Sequence, residues 1–119
     1  MDEWVEEAVC RTVDPELWFP EHTNQEWPAV EICASCPVQR KCIQYSFDHE
    51  IEFGVWGGLL ASKRVANFVT YKRRSKVDRD KMLDRILREI DEALDYREQQ
   101  RQQTAERQAE RRAAQKESA

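Results

Sequence analysis

Between residues 32 and 42 the chain reads Ile32-Cys33-Ala34-Ser35-Cys36-Pro37-Val38-Gln39-Arg40-Lys41-Cys42. Three of its four cysteines fall in this stretch. The fourth lies upstream, giving the spacing Cys10-x22-Cys33-x2-Cys36-x5-Cys42. Pro37 has a fixed φ and no amide hydrogen, which suits the first turn of a helix. The sequence therefore predicts a helix from Val38 to roughly His49, carrying Cys42, Ile43, Tyr45 and Phe47, with Cys36 at or near its N-cap. There the unpaired amides of Val38 and Gln39, together with the helix dipole, would favour a thiolate on Cys36.

Working outward, Pro28 suits the first turn of a helix through Val30, Ile32 and Cys33. Trp4, Val5, Ala8 and Val9 recur at i, i+1, i+4 and i+5, the pattern of a short amphipathic helix from Asp2 that delivers Cys10 near its end. Asp14-Pro15-Glu16-Leu17-Trp18-Phe19-Pro20 reads as a turn followed by an aromatic segment. All three glycines lie in Gly54-Val55-Trp56-Gly57-Gly58, which a helix would not tolerate and which must be a turn. Leu59 to about Tyr71 is expected to be helical, with Leu59, Leu60, Val65, Ala66, Phe68 and Val69 as its apolar positions. From about Asp78 to Ala119, Met82, Leu83, Ile86, Leu87, Ile90, Ala93 and Leu94 mark an amphipathic helix. Its apolar face fades after Tyr96 into a Gln, Arg, Glu and Ala stretch that has little to bury and is expected to be solvated, frayed or disordered. No strand alternation and no internal repeat is visible. The expected fold class is all-α: a small bundle of about four short helices around the cysteines, residues 1–76, followed by a C-terminal helical extension, residues 77–119.

A chain of 119 residues, 40% hydrophobic and 35% charged, has room for one modest core. No apolar run approaches the ~20 residues that span a bilayer, and no membrane association is expected. Met1 to Glu7 carries four acids and no base, unlike a secretory signal or transit peptide. A cytoplasmic location is the expectation, where cysteines serve as ligands or redox thiols more often than as structural disulfides. The net charge of −4 hides an asymmetry: residues 1–60 hold 3 basic and 12 acidic residues, and residues 61–80 hold 7 basic and 2 acidic.

Three readings of the cysteines compete. Two disulfides would use the even count but sit poorly with the acidic N-terminus. A structural zinc ion usually draws its thiolates from two close Cys-x-x-Cys knuckles, and only one is present. An iron–sulfur cubane takes three clustered thiolates and one distant one more readily, so it fits the spacing best. Trp18, Phe19, Ile32, Ile43 and Phe47 are the candidate shield against water. His22 and His49 read as ordinary surface histidines.

The four-cysteine spacing, the segment from Asp14 to Pro20 and the turn from Gly54 to Gly58 together resemble the WhiB-like (Wbl) family, small iron–sulfur transcription factors of actinobacteria and their phages. The resemblance runs from about Trp4 to Lys76. It implies that Cys10, Cys33, Cys36 and Cys42 are the ligands of one 4Fe-4S cluster per chain, responsive to redox state or nitric oxide. It implies that Gly54, Val55, Trp56, Gly57 and Gly58, with the cluster pocket and hence Trp18 and Phe19, dock on the C-terminal domain of the principal sigma factor within RNA polymerase. It further implies promoter DNA contact through Lys63, Arg64, Lys72, Arg73, Arg74 and Lys76. Trp18 stands where the family commonly has phenylalanine or another aromatic, and the tail after about Asp78 has no assigned counterpart.

The residues themselves are compatible with these roles. Trp56 is either a core side chain wrapped by a tight turn or an interface anchor, a use in which tryptophan is enriched. A compact cationic run grips phosphate in a salt-dependent way without reading bases, while the acidic front suits a basic partner and repels DNA. Catalytic machinery is missing: there is no Gly-rich phosphate loop and no nucleophile elbow. Cys33-Ala34-Ser35-Cys36 is the one catalytic candidate, and a thioredoxin-like motif would follow a strand that the sequence lacks. The expectation is a non-enzyme. A disulfide reductase activity of the cluster-free form, or a structural zinc module, is the alternative. A monomer is expected, with dimerisation through the tail as its alternative.

Overall fold

The computed structural model describes residues 3–12, 18–19 and 26–118, with the side chains of residues 11 and 12 left aside. The described residues are helical apart from turns and one isolated bridge. Two 3-10 helices, Glu3–Glu7 and Val9–Thr12, lead into α1 (Trp27–Ala34), α2 (Gln39–Asp48), α3 (Ala61–Arg73) and α4 (Lys76–Ser118). The expected all-α class is thus observed. The continuous N-terminal helix is replaced by two 3-10 segments that break at Ala8, where the Ala8 amide donates to Val5 O at 3.1 Å.

Pro28 occupies the first turn of α1, as its fixed φ allows. The next helix starts at Gln39, one residue later than expected, with Val38 as its N-cap. Cys36 donates to Cys33 O and Gln39 donates to Cys36 O, so two successive tight turns carry the chain from α1 into α2. The Gln39 amide is therefore spent on a carbonyl, a correction to the picture of two unpaired amides beside the Cys36 sulfur. The end of α2 has no glycine. Instead Glu50 takes φ +50°, and Ile51 donates back to Ser46 O at 2.9 Å, closing the helix with a left-handed cap.

Helix α4 packs against both α1 and α2, and α3 packs against α2. The core joins Ala29, Val30 and Cys33 of α1, Ile43 and Phe47 of α2, Tyr71 of α3 and Met82, Leu83, Ile86 and Ile90 of α4. Phe47 stacks on Tyr71 with ring centroids 4.6 Å apart. The expected division at 76/77 falls in the first turn of α4, and residues 82–90 share the core with the three shorter helices. Polar clamps extend the grip: Arg40 pairs with Asp80 and Asp84, Arg97 lies over the Trp27 ring at 4.2 Å, and Arg101 meets Glu31 at 3.0 Å. Beyond Arg101 every described residue of α4 is exposed, yet the helix continues to Ser118. At roughly 1.5 Å per residue, its 43 residues account for the longest dimension of the molecule, 64 Å.

Candidate metal centre

All four cysteines line one cavity of about 280 Å³. Cys33 comes from the end of α1, Cys36 from the turn after it, Cys42 from the first turns of α2 and Cys10 from the second 3-10 helix. The wall is otherwise largely apolar: Trp4, Val5 and Ala8 close the N-terminal side, Ile32 and Val38 the helical side, and Trp18, Phe19, Val55 and Trp56 the remaining side. Among the described residues no carboxylate or imidazole lines it, and no three metal-binding groups lie close enough to share a single ion. The thiols are arrayed around a space rather than gathered on a point.

Burial sets the state of two of these thiols. Loss of solvent pushes the Cys33 thiol up, while the Trp18 indole and the Gly58 amide, turned toward its sulfur, hold the rise back. Cys42 is pushed from an ordinary 9.0 up to about 12, first by burial and then by the neighbouring cysteines, with the Gly57 amide opposing. Donors aimed at sulfur in an otherwise apolar pocket are what a metal-bound thiolate requires. The donor set and its surroundings thus fit a thiolate-ligated group.

The glycine–tryptophan turn forms the lid of this pocket. Trp56 and Leu59 exchange backbone hydrogen bonds across it, so Leu59 belongs to the turn and α3 begins only at Ala61. Gly57 has φ +61°, its carbonyl accepts from Gln39 Nε2 at 2.9 Å, and a Cβ there would collide with the Ile43 side chain and approach Gln39 O to 2.8 Å. The Val55 amide donates to Trp18 O at 2.7 Å, pinning the aromatic segment against the turn.

Trp56 is half-buried: its ring stacks on Tyr45 at 5.8 Å, its indole donates to Phe53 O, and one side lines the cavity. Phe19, 61% exposed, and Phe53, 74% exposed, supply open aromatic surface beside it. Trp18 and Val55 face inward and are buried, so as side chains they wall the pocket rather than offer a partner surface. Ile43 and Phe47 do not line the cavity; they lie in the core cluster that also holds Cys33. Their face of α2 points into the bundle, whereas Gln39, Cys42 and Tyr45, three residues apart, point into the cavity. Tyr45, which also touches Trp4 and His49, was legible only through that spacing from Cys42. His49 is exposed; His22 lies outside the described residues.

The candidate DNA contacts divide. Lys63, Arg73, Arg74 and Lys76 are exposed, and α3 carries no acidic residue. Lys72 is exposed but paired with Glu50. Arg64 is a correction: it is completely buried and its guanidinium is bound to three backbone carbonyls, so it has no surface to present to DNA.

An all-helical domain with four cysteines around one pocket and a glycine–tryptophan lid defines the class, and the comparisons agree. The family model for the transcription factor WhiB matches residues 4–66, more than half of the chain. The chain belongs to the WhiB family. It is 40% identical over 63 residues to the transcriptional regulator WhiB2 of Mycobacterium tuberculosis, covering 53% of this chain and 71% of that one. It is 44% identical over 63 residues to WhiB4 of the same species, covering 53% and 52%. It is 38% identical over 61 residues to WhiB of Streptomyces coelicolor, covering 51% and 70%. Helix α4 lies outside the matched residues. No described helix is long and apolar enough to cross a membrane.

Proposed function

We propose that the chain holds one 4Fe-4S cluster on Cys10, Cys33, Cys36 and Cys42 and is a redox- or nitric-oxide-responsive transcriptional regulator that docks on the C-terminal domain of the principal sigma factor. The observation that carries this reading is the convergence of all four thiols on one apolar cavity roofed by the glycine–tryptophan turn. A cavity of this size with thiols around its wall suits a multi-atom cluster better than a single zinc ion, which holds four sulfurs at ~2.3 Å from one point. When bound, the cluster supplies an oxidisable, anionic centre that ties together three otherwise separate stretches of chain.

The protein's own residues do the rest. The aromatic wall covers the buried Cys33 and the half-buried Cys36 and Cys42, the Gly57 and Gly58 amides steady the sulfurs, and the lid links the state of the pocket to Trp56 and Phe19 at the surface. Lys63, Arg73, Arg74 and Lys76 give promoter DNA a salt-sensitive phosphate grip, effective once the sigma contact holds the chain nearby. A disulfide reductase draws little support, because its attacking thiol needs a depressed pKa and Cys33 is buried with its thiol pushed up.

Calorimetry under anaerobic conditions, with the sigma domain and the full chain, tests the reading. Trp56→Ala is expected to weaken binding by about 2 kcal/mol if Trp56 is an anchor, and Cys42→Ser, which breaks the ligand set, to weaken it about tenfold or more. Unchanged sigma binding by a Cys42→Ser protein that has lost its metal would overturn it.

A further inference from the structure

Arg64 is 0% exposed, on a helix whose other cations face solvent. Its Nε donates to Ile51 O at 3.1 Å, its Nη1 to Leu59 O at 2.6 Å and its Nη2 to Phe53 O at 2.9 Å. Two of these carbonyls also serve Trp56: Phe53 O accepts its indole N–H and Leu59 O accepts its amide. The guanidinium therefore sits beneath the lid of the cysteine cavity and holds both ends of it.

Carbonyls solvate a cation but do not neutralise it, and among the described residues no carboxylate pairs with Arg64. A buried charge without a counter-charge is unfavourable. Burial lowers the affinity of Arg64 for its proton, yet only to about 10, so it stays cationic at neutral pH; the group that favours its charged form is Cys42. Four thiolates around either a divalent ion or a cubane leave the cavity with a net negative charge, which is the counter-charge Arg64 lacks.

We propose that Arg64 is the internal counter-cation of the four-cysteine site, a positioning residue that pins the glycine–tryptophan lid and supplies the positive charge that balances the metal-bound thiolates. The inference rests on the metal-site reading above but not on which metal occupies the site. The choice of arginine follows from the geometry, since a rigid fork with several donors can reach three carbonyls at once and lysine cannot.

The test compares wild-type, Arg64→Lys and Arg64→Gln full-length proteins. One readout is Co²⁺ affinity, by anaerobic titration against a competing chelator; the other is the reduction potential of protein reconstituted with iron and sulfide. Arg64→Gln is expected to bind Co²⁺ about tenfold or more weakly and to hold its cluster at a lower potential, because removing a nearby cation disfavours the more negative, reduced state. Arg64→Lys keeps a cation but not the fork, and is expected to fall between wild type and Arg64→Gln in Co²⁺ affinity while holding the potential near wild type. Equal losses of Co²⁺ affinity in the two variants, with an unmoved potential, would show a purely structural role and overturn the proposal. Should Arg64→Gln lose its helical circular dichroism, Arg64→Lys against Arg64→Met, two unforked side chains that differ in charge, decides: tighter Co²⁺ binding by the folded lysine variant supports the counter-charge, and equal affinity contradicts it. Failure of the cluster reading looks different. Wild-type protein would then bind Co²⁺ but take up no iron and sulfide, and the cobalt comparison would still decide the role of Arg64.

Discussion

At Cys42 the folded chain raises the thiol from an ordinary 9.0 to about 12, chiefly by burial. In metal-free protein the folded state thus keeps a proton that the unfolded chain releases above pH 9. The stability this contributes is fully present below that pH and is lost as pH rises toward 12. Tyr71, also raised by burial and by Asp48, acts in the same direction above its ordinary 10.0. The melting temperature of metal-free protein should therefore fall between about pH 9 and 12; a flat profile there would contradict the burial of Cys42. Metal loading has the opposite dependence, since bound thiols must give up their protons. At this scale the sequence was informative wherever a residue's chemistry is unusual: the cysteines, the glycines and Trp56 were all legible. It misled at Arg64, because a cation in a cationic run reads as surface until tertiary structure brings three carbonyls to it. Apolar character alone did not say that Ile43 and Phe47 face the core beside Cys33 rather than the open cavity.

Among the elements, the lid is the most tightly specified. Gly57 combines a positive φ with no room for a side chain, hemmed by Ile43 and Gln39 O. Gly57→Ala should destabilise the protein by about 1–3 kcal/mol through strain and steric conflict, measured by urea unfolding of metal-free protein. A variant as stable as wild type would mean that the lid does not hold this conformation. The turn was readable because glycine is the residue such backbone demands. Helix ends were less so. Leu59 and Leu60 look like helix but are spent on the bridge and the N-cap, and Glu50 caps α2 where no glycine advertises a stop. Both outcomes are set by packing and backbone hydrogen bonds that local propensity does not encode.

For the whole molecule, α4 decides how much chain the fold needs. Its apolar stripe through Ile90 was visible in the sequence, but the clamps of Arg97 on Trp27 and Arg101 on Glu31 join residues 70 apart in the chain and left no local signal. Leu83→Ala should cost about 2–5 kcal/mol, as expected for emptying a packed core position. Removing residues 103–119 should change stability by about 0.5 kcal/mol or less, since every described residue of this stretch is exposed. Thermal melts of the two variants check both outcomes, and a large loss on truncation would show that the distal helix has a partner, such as a second copy of the chain.

Whether the four cysteines around one pocket hold an iron–sulfur cluster is tested by the iron, sulfide and zinc content of anaerobically purified protein together with its visible spectrum. About four irons and four sulfides per chain, with a broad thiolate-to-iron absorption band that Cys42→Ser abolishes, is the predicted result. Stoichiometric zinc in colourless protein, or folded protein with no metal at all, would contradict it.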